Sequence, residues 1–138
     1  MFEQEFMKIN KTLLSLCLEF SQNKADYIFV YLYMKKEQYF FNSFFRFGKE
    51  IWDIDDLEYP RDCVKRFMQL INEETAKFPL LFEGFKREKP ILYKMMYQCN
   101  TQKFNFSLKY DGDIASKFFP EQDFDNWIES VKDNGPSL

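Results

Sequence analysis

The stretch Tyr27-Ile28-Phe29-Val30-Tyr31-Leu32-Tyr33-Met34 decides the fold. It is the longest apolar run in the chain, and its residues divide by parity. Ile28, Val30, Leu32 and Met34 fall on one side, Tyr27, Phe29, Tyr31 and Tyr33 on the other. A period of two marks a strand, because successive side chains leave opposite faces of a pleated backbone. The run is well short of the roughly 18 residues that mark a membrane span. The aliphatic side predicts packing under helices. The tyrosine side is amphipathic and predicts a partly wet face.

The neighbouring segments fit around this strand. Lys35-Lys36-Glu37 is a short polar break, and Gln38 to Phe47 returns as the second arm of a hairpin. Gly48-Lys49 is a further turn, with a short strand expected from Glu50 to Ile54. Upstream, Phe2, Phe6, Ile9, Leu13, Leu16, Cys17 and Phe20 recur at steps of three and four, which predicts a helix over about 2–21. Pro60 suits the first turn of a second helix. Its stripe Val64, Phe67, Met68, Ile71 and Phe78 stops before Pro79. Residues 79–90, punctuated by Pro79, Gly84 and Pro90, read as irregular.

Ile91 to Cys99 and Phe104 to Tyr110 then form a second hairpin around the turn 100–103. A last helix from about Glu121 to Val131 carries Phe124, Trp127, Ile128 and Val131 on one face. The tail 133–138 is expected to fray. The reading is one α+β domain over 1–138. It has an antiparallel sheet of about five strands, covered by an N-terminal, a central and a C-terminal helix.

The chain has 138 residues, with 18 Phe, 8 Tyr and 2 Trp. Large rings fill a core quickly, and a surplus over what one small core can bury predicts aromatic side chains on a face that meets a partner. Cys17, Cys63 and Cys99 have neither metal-ligand nor disulfide spacing, so each reads as a small core residue. The acidic N-terminus lacks the pattern of a signal peptide, and the expectation is a cytoplasmic protein.

Catalysis finds little to work with. There is no histidine and no glycine-rich phosphate loop, which removes the commonest general base, the usual partner of Ser and Cys nucleophiles, and the commonest metal ligand. Asp53, Asp55 and Asp56 lack calcium-loop spacing. The expectation is a protein that is not an enzyme and needs no metal or other cofactor. Lys86, Arg87, Lys89 and Lys94 beside Tyr93 and Tyr97 offer an alternative: a nucleic-acid or small-ligand binding module using an aromatic sheet face. The acidic balance of the whole chain opposes it.

The charge is segregated along the sequence. Residues 50–60 hold five carboxylates and no basic residue, and residues 110–138 hold seven carboxylates against two lysines. Solvated loops and helix starts would account for these blocks. So would an acidic surface for a basic partner. On the second reading the candidate binding residues are Asp53, Asp55, Asp56, Asp123 and Asp125 for charge, with Tyr31, Tyr33 and Trp52 as aromatic anchors.

Asp26-Tyr27-Ile28-Phe29-Val30-Tyr31-Leu32-Tyr33 after an amphipathic helix, a Phe-rich hairpin ending in Phe47-Gly48-Lys49, and Phe104-Asn105-Phe106-Ser107-Leu108-Lys109-Tyr110-Asp111 before a helix bearing Trp127 form a further pattern. Over about Phe6 to Trp127 it resembles the YezG-like family of bacterial immunity proteins, the antitoxins of polymorphic toxin systems. Glu121-Gln122-Asp123 stands where an Arg would be expected near the start of the last helix. The resemblance implies a cytoplasmic immunity protein that binds the C-terminal toxic domain of a cognate secreted toxin and inhibits it by occlusion. That toxin would be a basic nuclease. The resemblance supplies no catalytic residues to carry over; the short apolar run and the acidic balance lead to the expectation of no membrane partner and no direct contact with nucleic acid.

Overall fold

The computed structural model describes all residues, Met1–Leu138. The elements run α1 (Phe2–Phe20), β1 (Tyr27–Lys35), β2 (Gln38–Phe47), β3 (Glu50–Asp53), α2 (Arg61–Thr75), α3 (Lys77–Gly84), β4 (Leu92–Gln98), β5 (Lys103–Lys109), a 3₁₀ turn at Asp111–Asp113, and α4 (Pro120–Asn134). The strands form one antiparallel sheet in the order β3-β2-β1-β4-β5. The fold is α+β, with helices on both faces of the sheet. No helix is long and apolar enough to cross a membrane.

The parity of β1 sorts the two cores. Ile28, Val30 and Leu32 join Phe41, Phe45, Tyr93 and Met95 beneath α1, α2 and α3. Phe29, Tyr31 and Tyr33 join Phe44 and Leu92 beneath α4, which contributes Phe124, Trp127 and Val131. The tyrosine side is therefore not a wet face. Phe29 stacks on Phe44 at 4.3 Å, and Trp127 meets both edge-on at 5.7 and 5.0 Å. Burying a ring of this size contributes roughly 1.5–3 kcal/mol, which is why the returning α4 covers this surface.

Buried polar groups in the first core are largely satisfied. Ser43 donates to the carbonyl of Phe29 at 2.6 Å and lies beside the Cys17 thiol. Burial pushes that thiol up to about 12. Cys17 alone of the three cysteines is a core residue; Cys63 is exposed and Cys99 half-buried. The loop between β2 and β3 turns on Gly48, whose φ of +64° is a conformation that L side chains rarely adopt.

Several boundaries differ from the sequence expectation, and β4 and β5 are each shifted by a residue at their ends. The central helix is a pair, α2 and α3, joined at Ala76. Pro79 sits in the first turn of α3, where a missing N–H costs nothing, so Phe78 and Phe82 both reach the core. The third strand ends at Asp53, one residue early. The C-terminal helix continues to Asn134, and the Trp127 indole N–H donates to the Ser137 carbonyl at 2.7 Å. That bond ties Ser137 of the tail to the helix.

Candidate functional site

The two acidic segments of the sequence meet at the β3 edge of the sheet. Ile51 and Asp53 leave β3 on the α4 face, since they pair with Arg46 and Phe44. On α4, Asp125, Ile128, Glu129 and Lys132 recur at steps of three and four and form the flank turned towards β3. With Asp56, these residues line a cleft of about 310 Å³. Its floor is the isoleucine pair, and its rim carries four carboxylates against one lysine. That lysine is drawn to Glu129 at 3.7 Å.

The turn after β3 fixes two of those carboxylates. Asp53 N–H donates to Asp56 at 2.9 Å, and Asp56 N–H donates to Asp53 at 2.8 Å. This reciprocal bonding closes the strand end and holds both groups beside the cleft. Partial burial raises the Asp53 pKa from its ordinary value. The nearby Asp56 and Asp55 carboxylates add to the rise, against the lowering effect of the Asp56 amide. The arrangement concentrates negative charge at some cost to the protein itself.

The remaining candidates separate. Asp55 is exposed on the same turn, outside the cleft. Trp52 pairs with Phe45, so its side chain leaves β3 on the opposite face. It is 38% exposed and donates to Glu50 at 3.1 Å. Phe47, Leu57 and Tyr59 lie around it in a second, shallower depression.

Asp123, Tyr31 and Tyr33 are not surface contacts. Tyr31 is enclosed between Phe40, Phe124 and Trp127. Its hydroxyl donates to Asp123 at 2.8 Å, and burial, then Asp123, raises its pKa. Tyr33 is buried against Phe118 at 5.4 Å. As anchors for a partner, both tyrosines are corrected by α4, which occupies the face they would have offered. Glu129, Ile51 and Ile128 complete the cleft in their place.

Other chemistry finds no matching geometry. No group of three or more His, Cys, Asp or Glu side chains is arranged to hold a metal ion. The basic patch expected around Lys86 is dispersed. Arg87 lies over the Phe2 ring at 3.8 Å and pairs with Glu3, and Lys89 pairs with Glu83. Lys94 stands on the other face of the sheet, 4.9 Å from the Trp127 ring centre, and Tyr93 is buried. The aromatic sheet face required by a base-stacking module is covered by α4. Comparison of the chain with protein-family models and with curated proteins finds no match.

Proposed function

We propose that this protein is an immunity protein: it binds the toxic C-terminal domain of a cognate secreted toxin and inhibits it by covering its working surface. The toxin is a nuclease, and the encounter takes place in the cytoplasm of the producing cell. The observation that carries the reading is the convergence of Asp53 and Asp56 with Asp125 and Glu129 around one cleft, from segments about seventy residues apart in the chain. A nuclease must attract phosphates and so presents a basic surface. An acidic cleft with an isoleucine floor matches such a surface in charge and supplies apolar contact. The resemblance to the YezG-like immunity proteins points the same way. Inhibition by occlusion asks for no catalytic group and no cofactor.

The test is growth. Expressed alone in a bacterial host, the product of the gene directly upstream is expected to arrest growth, and co-expression of this protein is expected to restore it. Arrest that persists under co-expression, with both proteins soluble, rules out the proposal.

A further inference from the structure

The other end of the sheet carries a different surface. β5 is the terminal strand, about 19 Å from β3 by four strand spacings. Its seven residues pair with β4 in an unbroken register, Leu92 with Lys109 through Gln98 with Lys103, with no bulge and no proline. β4 is the only element that packs extensively on it. Its outer row of backbone N–H and C=O groups is therefore open along the strand, the feature that natural edges usually shorten, bend or cover.

The side chains of β5 are two-faced. Phe104, Phe106 and Leu108 lie on the α1 face, where Phe106 is 44% exposed beside Phe6 and Phe104 at 5.3 and 5.8 Å. Lys103, Asn105, Ser107 and Lys109 lie on the other face. There Lys94 of β4 is cross-strand from Ser107. α4 packs over β2 and reaches β4 at Lys94 through Trp127, while Lys103, Asn105 and Lys109 of β5 are exposed.

This pattern selects an occupant. A second copy pairing antiparallel through β5, in full register about Phe106, would set Lys103 of each chain opposite Lys109 of the other. Like charges directly opposite are destabilising, so this full-length register of self-pairing is opposed. A strand with apolar residues on one face and carboxylates on the other matches both faces at once.

We propose that the outer edge of β5 is a strand-acceptor site that takes an extended acidic segment of a partner polypeptide as a sixth strand of the sheet. Main-chain hydrogen bonds supply the attachment. The acceptor's phenylalanines receive the apolar side chains, and Lys103 and Lys109 receive the carboxylates. The site is separate from the acidic cleft and does not depend on the toxin reading.

The test uses the full chain and two synthetic seven-residue peptides, one alternating Glu with Val and one alternating Lys with Val, followed by amide NMR. The Glu peptide is expected to shift and protect amides within 103–109, and the Lys peptide to leave them unchanged. The double variant Lys103→Glu/Lys109→Glu is expected to bind the Glu peptide at least tenfold more weakly and to gain binding of the Lys peptide. Equal binding of both peptides to the wild-type chain overturns the proposal. So does binding of neither, or perturbation centred outside β5. A single-stranded oligonucleotide that perturbs 103–109 where the Glu peptide does not would make the lysines a phosphate site, which also overturns it.

Discussion

The hydroxyl of Tyr31, on the central strand, donates a 2.8 Å hydrogen bond to Oδ2 of Asp123 on the C-terminal helix. This bond, with the rings of Phe124 and Trp127 packed against Tyr31, ties α4 to the central strand. α4 also carries Asp125 and Glu129 of the acidic cleft. Tyr31→Phe keeps the ring and removes the donor. The expected loss is about 1.5 kcal/mol, the usual scale for a bond to a charged acceptor, measured by urea unfolding. An unchanged midpoint would mean that water replaces the hydroxyl at no cost.

Phe124→Ala removes the α4 ring that touches Tyr31, Phe40 and Phe44. The expected cost is about 3–5 kcal/mol. Hydrogen exchange is expected to rise first in α4, while the amides of β1 and α1 keep their protection, because α1, α2 and α3 belong to the other core. Uniform loss of protection would show that the two cores unfold together.

Alkaline pH should destabilise the fold. Burial raises the pKa of Tyr31, Tyr39 and Tyr93, and pushes Cys17 from 9.0 to about 12. Each group holds its proton more tightly when folded than when unfolded, so its contribution is complete below the unfolded pKa and lost as pH rises through the folded one. Stability is expected to fall from about pH 9 upward. Cys17→Ala should flatten the part of that slope between about pH 9 and about pH 12. The check is urea midpoints at intervals across this range for both proteins. Identical slopes would remove Cys17 from the account.

Asp53→Asn separates stability from binding. The folded state raises the Asp53 pKa, so the ionised carboxylate is held there at a cost that is absent below its unfolded pKa and present at neutral pH. The amide oxygen of Asn can still accept from Asp56 N–H. The melting temperature at pH 7 is therefore expected to hold or rise, while association with a basic partner weakens. A clear fall in melting temperature would show the carboxylate to be structural.

Much of this was legible from residue spacing. The parity of Tyr27–Met34 marks β1 as a strand with two distinct faces, and the three-and-four stripes of 2–20 and 124–131 place the outer helices. Among the readings that went astray, two have identifiable reasons. Pro79 reads as a helix stop, yet it opens α3, because the first turn needs no N–H from it. The tyrosines of β1 read as wet because a phenol tolerates water, and nothing local shows that α4 returns to cover them. For the cleft, Asp123 and Asp125 are two residues apart and so about 200° apart around a helix. That angle alone separates the structural carboxylate from the exposed one. The approach of Asp125 to Asp53 is a tertiary fact that no local spacing encodes.

The central claim is that the acidic cleft draws in a basic protein partner. Its most direct measurement is the association rate between this protein and the toxic domain encoded upstream, taken across a salt series. The rate is expected to fall steeply as salt rises. Asp53→Lys/Asp125→Lys/Glu129→Lys is expected to slow it at least tenfold at low salt while the fold is retained. A rate that ignores both salt and the charge reversals would contradict the account.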